Sequence, residues 1–283
     1  MAEPTYPKPD ISVEAIGIYY RIVAPLMLPF VEGRLLNLFR CSGGRCFFQR
    51  NRNHPPSGDL FREPVRFVPL RQKNGRIEEY LYVLDAQGVA ACADAGSVEF
   101  HGWGSRAGAV ERPDRVVIDL DPDVELGFDV VRSAAARLRR GFEVIGLRSF
   151  AMLSGGKGIH VVVPIAPEQE WEQVRRFAKS FCTALAQADP ARFTVALPKE
   201  QRRGRIFLDF LRNQRTATAI LPYSARARGG APVAAPIAWS ELEQIASASQ
   251  FGIADAELLL RRARSRRLAG WGRAEQRLPR FAG

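Results

Sequence analysis

Apolar residues recur at helical spacing from Ile11 to Leu28 (Ile11, Ala15, Ile18, Tyr19, Ile22), a pattern that predicts a first helix limited by Pro25 and Pro29. The polar, proline-rich run Arg50 to Gly58 reads as a loop. Arg62 to Leu70 and Glu79 to Leu84 read as strands joined by the turn-like Lys73-Asn74-Gly75. Arg115 to Leu120 (RVVIDL) is a β-branched run and hence a strand. Gly127 to Arg140 is an amphipathic helix, with Phe128, Val131, Ala135 and Leu138 on one stripe. Val144 to Arg148 reads as the next strand, Ser154 to Gly158 as a glycine turn and Ile159 to Pro164 as a strand. A helix over Glu168 to Gln187 buries Trp171, Val174, Phe181 and Leu185, and Arg205 to Leu211 is a further strand. Ser240 with Glu243 forms a capping box before a short helix. The segment from Leu258 to Gly283 is helix and then irregular. Strands alternating with helices place the chain in the α/β or α+β class with a central sheet.

A length of 283 residues, 46% of them hydrophobic, is enough for a sizeable core in one large domain or two small lobes. No stretch of ~18 apolar residues suggests a membrane span. Met1 to Asp10, with Glu3 and spaced prolines, does not read as a signal peptide. Cys41, Cys46, Cys92 and Cys182 are few and scattered, which suits free thiols in a reducing cytoplasm. Cys41-Ser-Gly-Gly-Arg-Cys46 lacks a second ligand pair for a metal, so these two are read as structural. Charge changes the picture more. The net charge is +11, and 15 Arg against 6 acidic residues put +9 of it between Gln201 and Gly283. Such clustering points to a polyanionic partner, nucleic acid above all.

Asp119 and Asp121 lie two apart on a strand, so both carboxylates face one way at the end marked by Pro122. Their repulsion is relieved by a divalent cation between them. Asp209, in the apolar strand Arg-Ile-Phe-Leu-Asp-Phe-Leu, supplies the third acid that a two-metal phosphoryl-transfer site needs. In the glycine turn, Ser154, Lys157 and His160 offer a hydroxyl, a point charge and an imidazole to phosphate, and the glycines let N–H groups approach it. It is not a Walker loop, because a strand follows instead of a helix. His101 lies in His-Gly-Trp-Gly-Ser, eighteen positions before Asp119. Arg226 and Arg228 alternate, so an extended segment aims both the same way, as bidentate phosphate ligands. The bland alternatives are a turn for Asp119-x-Asp121, a glycine-rich hairpin for 154–158 and solvated arginines.

Six segments in order resemble the polymerase domain of bacterial ligase D, within the archaeo-eukaryotic primase superfamily, from about Tyr6 to Leu242. They are CFFQRN (46–51), EFHGWGSR (99–106), PDRVVIDLDP (113–122), SGGKGIHV (154–161), GRIFLDFLRN (204–213) and ATAILPYSARAR (217–228). The resemblance implies a primase-type core of two αβ lobes with the site in the cleft between their sheets, taken as a single catalytic domain over 1–283 with an arginine-rich segment from about 258. It implies a template-directed nucleotidyltransferase that extends primers and fills gaps at DNA ends. Asp119, Asp121 and Asp209 would then hold two divalent ions, Mn²⁺ or Mg²⁺. His101, Ser154, Lys157, His160, Arg202 and Arg226 would contact NTP or dNTP, and Phe47, Phe48 and Arg50 would contact nucleic acid. Expected partners are a DNA primer–template or broken ends, Ku and a DNA ligase, in a bacterial cytoplasm at the nucleoid and without a membrane. Two departures stand out. Val13 replaces a lysine that relatives use near a downstream 5′-phosphate, leaving only Lys8 nearby, and His-Gly-Trp-Gly replaces His-Pro-Trp-Gly. The rival readings are a mobile-element or plasmid enzyme that makes primers de novo, and a non-catalytic nucleic-acid-binding module. The second conflicts with three carboxylates in a phosphate-binding groove.

Overall fold

The structure, a computed structural model, describes residues 12–53, 60–72 and 74–279 and the backbone of 6–7. Arg50, Arg52 and Asn53 are therefore described, but the rest of the proline-rich loop, Lys73 and Lys8 lie outside the described residues. Among the described residues, two antiparallel-rich sheets and five helices make a mixed α/β fold. The first sheet is built on β2 (Arg34–Ser42), which pairs with β3 (Arg45–Gln49), β5 (Ile77–Tyr82) and β6 (Ser97–Arg106). It is extended by β1 (Tyr6–Pro7), β4 (Arg66–Arg71) and β12 (Thr218–Ile220). The second sheet runs β10 (Phe193–Thr194), β11 (Ile206–Asp209), β7 (Arg115–Pro122), β9 (Ile159–Pro164), β8 (Phe150–Leu153), β13 (Pro236–Ile237).

Helices α1 (Val13–Val31) and α2 (Ala86–Asp94) bury their apolar stripes with Leu36 and Leu38 of the first sheet. Helices α3 (Phe128–Val144) and α4 (Trp171–Ala188) do the same with Val116, Ile118 and Leu120 of the second. The remaining faces of the sheets turn toward each other. Val117, Phe150, Met152 and Val162 of the second sheet meet Ile220 of β12, which belongs to the first. The tail beyond α5 (Ala256–Ala263) adds Leu268 and Trp271 to this cluster, and the Trp271 indole N–H donates to the Ala151 carbonyl at 2.9 Å. Through residue 279 the arginine-rich end is helix and then irregular, as expected, but it also clamps the second sheet; the last four residues lie outside the described ones.

Several boundaries differ from the sequence reading for identifiable reasons. Helix α1 continues through Pro25 and Pro29, which stand four apart on its exposed side, so the carbonyls they leave unpartnered face outward. Its last turn is held by Arg34, whose Nε donates to the Phe30 carbonyl at 2.9 Å, and by Arg106, which reaches the Pro29 and Glu32 carbonyls. By length and mean hydropathy α1 would also cross a membrane. However, it is a core helix here, with Tyr19, Tyr20, Val23 and Met27 buried. Val144 to Arg148 is no strand: α3 keeps its apolar stripe through Phe142, and the chain reverses at Gly146 (φ 75°) before β8 begins. The turn at 239–244 is capped by Glu241, not Glu243; its carboxylate accepts from the Ala238 N–H at 2.9 Å. Cys41 and Cys46 are not free thiols but a disulfide. Gly43 and Gly44, both at positive φ, close a two-residue hairpin that sets the cysteines directly opposite each other. Cys92 and Cys182 are free and buried.

The two sheets are locked by a charge cluster built on one buried arginine. Fully buried Arg34 on β2 contacts Asp114, just before β7, at 2.6 Å and the Trp103 carbonyl at 2.8 Å. Arg115 and Arg106 complete the cluster, at 2.9 and 3.2 Å from Asp114. Burial works to raise the Asp114 carboxyl, but Arg115 and Arg34 outweigh it and hold it well below its ordinary 3.8. A depressed carboxyl contributes stability that is fully present above that ordinary value and drains away as pH falls below it. Asp114→Ala strands the Arg34 charge and is expected to cost about 3–5 kcal/mol, read as a lower urea midpoint at unchanged m-value.

Candidate active site

Strand register builds the site. Asp119 on β7 pairs directly with Asp209 on β11 and with His160 on β9, so three polar side chains stand in a row across an otherwise apolar sheet. Asp121, two residues on, shares the face at the rim. One oxygen from each of Asp119, Asp121 and Asp209 lies within 4.8 Å of the others, with Asp119 and Asp209 buried and Asp121 exposed. Arg212 follows in the short helical turn Leu211–Asn213, and its Nη2 lies 3.2 Å from both Asp119 Oδ2 and Asp209 Oδ2. Three carboxylates against one guanidinium leave two negative charges uncompensated. His160 Nε2 is 3.3 Å from Asp119 Oδ1, and its Nδ1 is buried without a protein partner.

The carboxyl groups titrate apart. Burial works to raise Asp119, but His160 and Arg212 prevail and hold it down at about 2. Asp121 is pushed up to about 6 by lost hydration and by the charges of Asp119 and Asp209. Asp209 is raised by burial and by Asp119, against the pull of Arg212. An all-oxygen donor set carrying crowded, uncompensated charge fits a hard divalent cation.

Opposite this acidic floor is a basic rim. A cavity of about 220 Å³ lies between the sheets, walled by His101, Asp119, Asp121, Ser154, Lys157, His160, Arg212, Arg226 and Arg228. The glycine turn comes close because Gly158 has no side chain; a Cβ there would collide with the Leu120 carbonyl oxygen. The turn's amides are mostly used internally, contrary to a phosphate cradle. The Gly156 and Gly158 N–H groups donate to Ser154 Oγ at 3.2 and 3.3 Å, and the Gly155 N–H donates to the Ala248 carbonyl. What the loop offers outward is the exposed Lys157 ammonium, with Ser154 buried in the cavity wall behind it.

From the first sheet, buried Glu99 on β6 organises the rest. It accepts from His101 Nε2 at 2.7 Å and from the Ala227 N–H at 2.8 Å, and it lies 3.2 Å from Arg226 Nε. Burial works to raise the Glu99 carboxyl, yet these partners hold it at about 2, so it accepts only and fixes the His101 tautomer. Burial lowers His101, against the opposing pull of Glu99. Tyr20 and Ser224 anchor the segment that carries Arg226: the Ala225 N–H donates to the Tyr20 hydroxyl at 3.0 Å, and Ser224 Oγ accepts from the Phe100 N–H at 2.8 Å.

A family model for the LigD primase-polymerase domain matches residues 15–266. The chain belongs to this family. Among curated LigD-family relatives, the multifunctional non-homologous end joining protein LigD of Pseudomonas aeruginosa is 38% identical over 251 residues, 86% of this chain. The bifunctional protein of the same name from Bacillus subtilis is 29% identical over 242 residues, 83% of this chain. The chain spans only 29% and 38% of those two relatives. The solved polymerase domain of Mycobacterium tuberculosis ligase D, in complex with DNA, superposes with a TM-score of 0.79 at 27% identity, over 92% of this chain and 93% of that one.

Of the residues anticipated, the fold gathers Asp119, Asp121, His101, Ser154, Lys157, His160 and Arg226 around one cavity, with Asp209 beside Asp119. Arg202 is not among the residues walling it. Its guanidinium stacks 3.6 Å from the Phe207 ring centre and donates to the Ala196 and Leu197 carbonyls. Phe47 and Phe48 are neighbours on β3 and so face opposite ways. Phe48 meets the His101 ring at 5.3 Å, while Phe47 lies 5.4 Å from the Arg40 guanidinium. Arg50 is exposed at the end of β3. Sequence reasoning missed Arg212 and Glu99. The signals were present, as an arginine three after Asp209 and an acid two before His101, on the same strand face.

Proposed function

We propose that this chain is a template-directed nucleotidyltransferase that extends primers and fills gaps at DNA ends, in non-homologous end joining with Ku and a DNA ligase. The carrying observation is the polarity of the cavity: an acidic floor of Asp119, Asp121 and Asp209 faces a rim of Lys157, Arg226 and Arg228. Two divalent cations, Mn²⁺ or Mg²⁺, held by the three aspartates would supply the positive charge that phosphoryl transfer needs. Lys157, Arg226 and the Ser154 hydroxyl bind the triphosphate of the incoming NTP or dNTP and orient its α-phosphorus toward a primer 3′-hydroxyl. That oxygen gives up its proton to solvent as it bonds to the α-phosphorus and the bond to pyrophosphate breaks, and the same cationic side chains on the rim take up the growing charge of the leaving group. His101, held by Glu99, lies against Phe48, where sugar and base would sit. Residues 1–283 act as one catalytic domain. The relatives' names and the DNA-bound neighbour support this reading.

The test is primer extension with Mn²⁺ or Mg²⁺, comparing ribo- with deoxynucleotides and primed with unprimed template. Extension only from a primer agrees with end processing, and efficient synthesis on unprimed template would favour the priming reading instead. Val13, exposed in the first turn of α1, offers no charge to a downstream 5′-phosphate. A 5′-phosphate is therefore expected to improve gap filling by less than about tenfold over a 5′-hydroxyl, the lower range for one charge-assisted contact. A hundredfold preference on matched substrates would reveal a pocket elsewhere on this chain.

A further inference from the structure

A second, larger concavity lies at the far edge of the second sheet, away from the aspartates. It encloses about 580 Å³, within the range of pockets that take a drug-sized ligand such as a nucleotide. Three elements each bring one arginine to it: Arg139 from α3, Arg148 from the link between α3 and β8, and Arg267 from the tail. The walls between them are aromatic. Arg139 lies 5.6 Å from the Trp239 ring centre and Arg148 lies 5.1 Å from that of Phe150. Arg139 is paired with Glu143 at 2.7 Å. Arg148 has no carboxylate partner among the described residues. Arg267 reaches only to 4.0 Å from Glu241, whose two oxygens are already taken by Arg262 at 2.7 and 3.1 Å. One guanidinium, Arg148, therefore stands beside an aromatic ring without a carboxylate, and a second, Arg267, is only loosely paired. Ser149, 5% exposed, lines the same cavity with its hydroxyl unpartnered.

We propose that this cavity is a second nucleotide-binding site, in which Arg148 and Arg267 hold phosphate, the Trp239 ring stacks on a base and the Ser149 hydroxyl finds its missing partner. Guanidinium forks suit phosphate oxygens, and aromatic walls suit a base face of any sequence. A flexible single strand and a free mononucleotide share this chemistry. The site adds a handhold for nucleic acid separate from the catalytic cleft.

The experiment uses the full chain with ¹⁵N-labelled tryptophan. Trp239 and Trp271 line the cavity, whereas Trp103 and Trp171 are buried together in another cluster, so the indole N–H signals report on location. Hexathymidylate, AMP and hexaglutamate are titrated separately. Hexathymidylate is expected to shift the Trp239 signal and leave Trp103 and Trp171 in place. The double substitution Arg148→Glu with Arg267→Glu, at exposed positions and checked for unchanged Tm, is expected to weaken that response about tenfold or more. A matching shift with AMP assigns the site to free nucleotides, and a shift with the oligonucleotide alone assigns it to a strand; either supports the proposal. No shift with either, a shift unaffected by charge reversal, or a response to hexaglutamate alone overturns it. Extension of a minimal primer–template by the double variant stays within about twofold of wild type, since its catalytic groups are untouched. Loss of the tryptophan response and failure of nucleotidyl transfer are thus separable.

Discussion

The Asp119→Ala protein is expected to fold, to bind primer–template and to add no nucleotide. Asp119 is the middle of the three acids, directly opposite Asp209 and two residues from Asp121 on the same face. A lost cation ligand removes several kcal/mol of transition-state stabilisation, roughly a thousandfold or more in rate. DNA affinity should hold, because deleting a negative charge does not weaken contacts to phosphate. Stability supplies a control independent of activity. The Asp121 carboxyl is raised from 3.8 to about 6. A raised carboxyl destabilises the fold above that value, and the penalty disappears as pH falls below the ordinary one. Asp121→Asn should therefore raise the Tm of the metal-free protein at pH 8 and have little effect near pH 4. Discounted for the exposure of Asp121, the gain is about 1 kcal/mol, or roughly 2–4 °C. Mn²⁺ should raise the Tm of the wild type more than that of either variant. Near-normal extension by a folded Asp119→Ala protein would remove the metal assignment, whatever the Tm data show.

Alternation made the acidic floor legible. Because side chains two apart on a strand share a face, the spacing of Asp119-x-Asp121 is enough to set both carboxylates together, and Asp209 stands out as the acid on its own apolar strand. Strand β9 also runs over the residues its β-branched pattern marks. What stayed hidden depends on partners distant in the chain. The register that sets Asp209 against Asp119 spans ninety residues, and only it shows why Arg212 closes over both. Glu99 looks like any strand acid until the fold brings Arg226 and the Ala227 N–H to it. The two prolines of α1 break a helix by local rules, but they sit on its solvent side and cost little there. The disulfide is the opposite case. Gly43-Gly44 between the two cysteines is a hairpin signal that predicts Cys41 facing Cys46, and weighing the pair by count and as metal ligands passed over it.

Lys157 and Arg226 separate nucleotide handling from DNA binding, and the structure sharpens what each substitution should do. Lys157 is exposed at the tip of the glycine turn and has no carboxylate partner among the described residues, so Lys157→Ala removes one rim charge and nothing else. Its expected signature is a KM for nucleotide raised about tenfold and a kcat lowered about tenfold. A charge that meets the departing pyrophosphate acts more strongly in the transition state than in the ground state. Arg226→Ala should cost more, because the guanidinium also lies 3.2 Å from Glu99 and donates to the Ser154 carbonyl at 3.2 Å. Its loss loosens the anchor of His101 and the start of the glycine turn together. Glu99→Gln distinguishes the two contributions: it keeps a group that accepts from His101 but weakens the hold on Arg226, so it should raise KM with a smaller change in kcat. Steady-state kinetics at saturating primer–template, with DNA affinity measured separately by anisotropy, reads all three. If Lys157→Ala instead weakened DNA binding and left the nucleotide dependence unchanged, the glycine turn would belong to the path of the strand and the triphosphate would have to be held by Arg226 and Arg228 alone.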